Sequence, residues 1–122
     1  LFSKDRESLN TDLYLVDKFE KAAQKLTSEF DFKVNSLITG GDYKNELNLL
    51  ALVSYNSKGN QYLILFERFD LENLEENTFK KYKIPLERAQ IESIKIIDKN
   101  TFWVTSEDEG IGNPFMYKLK VK

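Results

Sequence analysis

LVSYNSKGNQYLILFER, residues 52–68, is two apolar runs parted by a polar tip. The first run ends at Tyr55 and the second begins at Gln61. Val, Ile, Leu, Tyr and Phe on both sides of a Gly-containing tip read as a β-hairpin, with Gly59 where the turn needs backbone freedom.

Two other stretches share this layout: LFSKDRESLNTDLYLVD from residue 1 and WVTSEDEGIGNPFMYKL from residue 103. Phe2, Val53 and Val104 are spaced by 51 residues, as are Ser3, Ser54 and Thr105. The same spacing relates Leu13-Tyr14-Leu15, Ile64-Leu65-Phe66 and Phe115-Met116-Tyr117, and aligns Ser8, Gly59 and Gly110 at the tips. Further strand candidates lie at SLITGGDY (36–43) and QIESIKIID (90–98), which precede hairpins, and at AAQKLTSEF (22–30) and FKKYKIPL (79–86), which follow them. Four short strands recurring every 50 residues or so are the pattern of propeller blades. The expected fold is therefore all-β, with about two and a half four-stranded antiparallel blades in units 1–30, 36–86 and 90–122. A free-standing sandwich or barrel competes with it. Locally, VDKFEKAAQKLTSEF (16–30) also fits an amphipathic helix through Phe19, Ala22, Ala23 and Leu26.

Two and a half blades do not close a ring. The chain starts at Leu1 and its one Met is Met116, so the expectation is a fragment of a larger ring. Upstream blades of the same protein, or a second copy, would cover the flat apolar faces of the first and last blades.

Composition narrows the chemistry. Eighteen basic and twenty acidic residues nearly cancel and form no basic stripe, which argues against a nucleic-acid partner. With neither Cys nor His, triads that use imidazole, thiol nucleophiles, Cys/His zinc sites and disulfides are excluded. No run of eighteen apolar residues exists to span a membrane as a helix.

Thr39-Gly40-Gly41-Asp42-Tyr43, Gln90-Ile91-Glu92-Ser93-Ile94 and Ser106-Glu107 make residues 36–122 resemble the last two blades of bacterial propellers of the esterase-like phytase and SdiA-regulated families. The first 35 residues match only in strand pattern. The resemblance implies an exported protein, periplasmic or at the cell surface and lipoproteins among them, with its ligand site at the mouth of a central channel. Ser93 departs from the Gly or Ala more usual there, which puts close backbone approach to a central ligand in doubt.

The acidic tip of TFWVTSEDEG (101–110) is the one candidate metal site. A three-residue turn at Asp98-Lys99-Asn100, with Asn100 left-handed, pairs Ile96 with Phe102, Ile94 with Val104 and Glu92 with Ser106. A two-residue turn at Lys99-Asn100 instead sets Glu92 opposite Glu107, and facing carboxylates need a cation. Calcium would suit; otherwise no cofactor is implied, and the bland reading is a solvated tip. Thr39-Gly40-Gly41-Asp42 lacks the Lys and helix of a phosphate loop, so its glycines read as close packing of an inner strand. Tyr55, Tyr62, Phe66 and Phe69 read as core between blades, and Asn113-Pro114 as a break before the last strand.

The favoured function is a non-enzymatic binding or scaffold module whose ring face takes a protein, glycan or small ligand. A calcium-dependent hydrolase of phytase or lactonase type, with metal ligands Glu92 and Glu107, is the alternative. A complete small structural β domain is the third.

Overall fold

The computed structural model describes residues 1–14, 25, 27–86, 89–108 and 115–122. Among these residues nine strands run in chain order: β1 (Thr11–Leu13), β2 (Phe30–Phe32), β3 (Leu37–Lys44), β4 (Leu49–Tyr55), β5 (Gln61–Phe66), β6 (Lys80–Ile84), β7 (Ala89–Asp98), β8 (Thr101–Asp108) and β9 (Phe115–Lys120). They make three antiparallel sheets: β1-β2 with an isolated bridge from Phe2 to Leu13, β3-β4-β5-β6, and β7-β8-β9. The all-β expectation holds among the described residues. The helix-or-strand question at 16–30 falls mostly on residues outside them, as do Leu15, Gly110 and Asn113-Pro114.

The sheets stack face to face in chain order. The middle sheet is covered on both sides, which is why β4 (LLALVSY) and β5 (QYLILF) are near-continuous apolar runs rather than alternating ones. Leu50, Leu52, Ile64 and Phe66 face the first sheet and bury Leu13, Phe32 and Val34. Leu49, Ala51, Val53, Leu63 and Leu65 face the last sheet and bury Ile91, Ile94, Ile96, Phe102 and Val104. Phe66 anchors the first junction by edge-on packing with Phe32 (centroids 5.2 Å apart) and Phe69 (5.6 Å). Such pairs add about 0.5–1.5 kcal/mol beyond area burial. Lys81, on edge strand β6, ties the same junction by donating to the Val34 carbonyl at 2.9 Å, and burial pulls its pKa below the usual lysine value.

Local chemistry shapes the turns. In the middle hairpin, the Asn56 carboxamide oxygen accepts from the backbone N–H groups of Lys58 and Asn60, both at 3.0 Å, and Gly59 takes φ +81°. The left-handed Gly59 was legible beforehand; the side-chain-closed loop was not.

Faces revise the repeat spacing. Val53 and Val104, 51 residues apart, look at each other across one junction instead of holding equivalent places. Register shows the true counterpart of Val104 to be Leu52: Leu52 pairs Gly41 and Val104 pairs Ile94, each two rungs past a bulge in the preceding strand. A one-residue offset flips every side chain to the other face of a sheet, so letter matching alone could not see it.

The outer faces correct a further expectation. Among the described residues they are not uniformly apolar. On the last sheet, Ser93, Lys95, Trp103, Thr105, Met116 and Lys118 alternate with the buried residues. On the first, Asp12 and Asp31 pair across the strands. Lys80, Lys81 and Lys83 on β6, and Lys118 and Lys120 on β9, line the two outer edge strands, where lysine discourages further strand pairing.

Candidate functional site

The middle and last sheets meet along their leading strands, β3 and β7. Strand β7 is an edge strand, so some of its backbone groups lack a ladder partner. Side chains of the middle sheet supply them. Thr39 Oγ1 donates to the Ile91 carbonyl at 2.5 Å, and Gln61 Oε1 accepts from the Ile91 N–H at 3.2 Å. Asp42 Oδ2 accepts from the Ile96 N–H at 2.8 Å, and Lys44 Nζ donates to the Ile97 carbonyl at 3.1 Å.

Gly40 makes this approach possible. A Cβ there would lie 2.7 Å from the Glu92 carbonyl oxygen, a backbone atom that cannot swing away. The TGGD stretch is thus a seam between sheets, as its reading as a close-packed inner strand anticipated. What that reading missed is that Thr39 and Asp42 are hydrogen-bonding partners of the next sheet.

Glu92 sits at the matching place on β7, in a bulge between Ile91 and Ser93. The hairpin it begins combines parts of both expected registers. Its turn is the two-residue Lys99-Asn100, with Asp98 paired to Thr101, yet Ile96 still pairs Phe102 and Ile94 pairs Val104 because Ile97 bulges out. Asn100 is not left-handed; Asp98 Oδ1 holds the turn by accepting its N–H at 2.8 Å. That bond is the main cause of an Asp98 pKa below the usual carboxylate value.

The second bulge then undoes both expected pairings of Glu92. Ser106 pairs with Ile91 and Glu107 with Gln90. The facing Glu92–Glu107 rung that calcium would have bridged is not formed. Glu92 is half-buried and Glu107 exposed. Among the described residues no group of three or more Asp or Glu side chains is placed to hold a metal ion. Part of the acidic tip, Glu109 and Gly110, lies outside them. Ser106 Oγ is buried with no hydrogen-bond partner among the described residues, whereas Ser54, its counterpart in the middle sheet, accepts from Ser36 Oγ at 2.8 Å.

The aromatic run divides. Phe66 and Phe69 are core, as read. Tyr55 and Tyr62 are not: each is half-buried under a lysine, with Lys4 Nζ 4.9 Å from one ring centroid and Lys81 Nζ 4.3 Å from the other.

Two further surfaces bear on function among the described residues. A cleft of about 390 Å³ runs beside β3 between the first two sheets, lined by Phe2, Ile38, Gly41, Tyr43 and Leu52 among others. It is mostly apolar. The second is a row straight across the last sheet, Lys95–Trp103–Lys118, with Lys118 Nζ 5.9 Å from the Trp103 ring centroid. Sequence reading passed over this row because its members are separated in the chain and only register aligns them. The alternation of KIID and TFWVT was the available signal.

Comparison with protein-family models, curated proteins and solved structures finds no match to this chain.

Proposed function

We propose that the chain is a non-enzymatic binding or scaffold module whose three sheets are consecutive blades of a β-propeller. The observation that supports it is the seam. Sheets follow one another in chain order, meet face to face, and touch most intimately where the leading strands β3 and β7 converge, as blades do around an axis. In this reading β1-β2 with Phe2, β3–β6 and β7–β9 are the blades, and the Phe2–Leu52 cleft along β3 is where a small ligand would meet the inner strands. Export to the bacterial periplasm or surface belongs to the same proposal and rests on the family resemblance.

A chelator experiment tests the non-enzymatic part. The reading expects a thermal midpoint unchanged between excess calcium and excess EDTA. A calcium-dependent rise that disappears in Glu92→Gln would replace it with the hydrolase alternative. An experimental structure of the intact protein tests the architecture: successive sheets must be related by one repeated rotation about a common axis, and a closed sandwich would overturn it.

A further inference from the structure

We propose that the outer face of the last sheet is a docking surface for the outer face of the first sheet of a second copy of this chain, joined head to tail. The inference holds whether or not the sheets belong to a ring.

The last sheet presents, on the side away from the core, the row Lys95–Trp103–Lys118 and next to it the row Ser93–Thr105–Met116. Lys120, two residues past Lys118, follows on the same face. Trp103 is 37% and Met116 65% exposed, so two large apolar side chains lie open on a face that also carries Lys95, Lys118 and Lys120, with Glu107 at its far end. Lys95 lies 3.9 Å from Asp42, but its side chain is 73% exposed and can be recruited.

At the other end of the stack, Asp12 and Asp31 are direct cross-strand neighbours on the outer face of the first sheet. Asn10 donates to Asp31 at 3.3 Å and Ser28 to Asp12 at 2.9 Å, so hydroxyl and amide groups orient both carboxylates. Two carboxylates on one rung repel each other and favour a cationic neighbour. Glu29 precedes Asp31 by two residues in sequence, and Lys33 follows it by two.

These two faces stand to each other as the two sides of an internal junction do: one leads, the other follows. Apposing them extends the stacking already seen twice in the chain, with lysine meeting aspartate and Trp103 covered at the centre, the place where an aromatic anchor contributes most. Such a contact is heterologous, so it forms closed rings or open chains rather than a twofold dimer.

Trp103 is the sole tryptophan, and it reports directly on this face. The full 122-residue chain, studied by sedimentation equilibrium at low salt, should gain mass with concentration while its emission shifts to the blue. Both changes should reverse at about 0.5 M salt, where exposed charges are screened. The doubles Lys95→Glu/Lys118→Glu and Asp12→Lys/Asp31→Lys should each associate at least about tenfold more weakly, and mixing the two should restore association. Lys58→Glu, on the middle hairpin loop, is the control and should behave as wild type. A wild type that stays monomeric with concentration-independent emission overturns the proposal. So does association that neither double variant weakens, which would assign the contact to another surface.

Discussion

The middle and last sheets hold the same positions with opposite chemistry. Aligned by register, Val53 corresponds to Thr105, Ala51 to Trp103, Leu63 to Met116 and Leu65 to Lys118; on the leading strands Gly40 corresponds to Ser93 and Asp42 to Lys95. In the middle sheet Val53, Ala51, Leu63 and Leu65 are aliphatic and buried against the last sheet, Gly40 lies against the Glu92 backbone, and Asp42 accepts from the Ile96 N–H. In the last sheet their counterparts are polar, charged or bulky and face outward. Both sheets run antiparallel in chain order from a leading strand that carries a bulge. One face alone therefore decides whether a neighbour packs by dry stacking or by charge, and Ser93 in place of Gly40 denies a further sheet the close backbone approach seen at the β3–β7 seam.

Substitutions at matched positions test that contrast. The largest difference is expected between Leu63→Ala and Met116→Ala. Leu63 is buried, and its truncation should cost about 2–5 kcal/mol through lost burial and a cavity. Met116 is mostly exposed, and its truncation should stay within about 0.5 kcal/mol. Urea midpoints of the two variants measure this, and equal losses would deny that the sheets differ in cover. Gly40→Val against Ser93→Val comes next. The first forces a side chain onto the Glu92 carbonyl and should cost about 1–3 kcal/mol, while the second points to solvent and should be near neutral.

Asp42→Ala should cost about 1.5 kcal/mol, because the Ile96 N–H loses a carboxylate acceptor. Amide exchange at Ile96 should quicken in that variant, and unchanged protection would remove Asp42 from the seam. The smallest effect concerns Asp98. Its folded pKa is depressed, so the stability it adds is present above the unfolded carboxylate value near 4 and lost as pH falls through the lower folded value. The difference between wild type and Asp98→Asn should be flat from neutrality to about pH 5 and shrink below about pH 4. A difference that grows on acidification would reverse the assigned sign.

The readings that held and those that failed separate on distance along the chain. The middle hairpin, the glycine at its tip and the apolar runs of β4 and β5 depend on neighbours within a dozen residues, and all were visible as pattern. The fate of Glu92 was not. Its pairing hangs on two bulges, at Ile97 and at Glu92 itself, and a bulge has no strong letter code when neither residue is glycine. Tyr55 and Tyr62 were misplaced for a related reason: aromatic spacing does not tell which rung lies over core and which at the rim under Lys4 or Lys81.

From its letters alone this chain is bound to short antiparallel strands joined by tight turns, since alternation and turn residues act through local backbone geometry. The packing of the sheets settled the rest. Which side of each strand is dry, that Thr39 and Asp42 serve a strand more than fifty residues away, and that Lys95 and Lys118 share a row on one outer face while Asp12 and Asp31 share a rung on another all follow from contacts between distant segments. Burial and hydrogen-bond satisfaction are properties of the assembled sheets, and no single stretch of residues contains them.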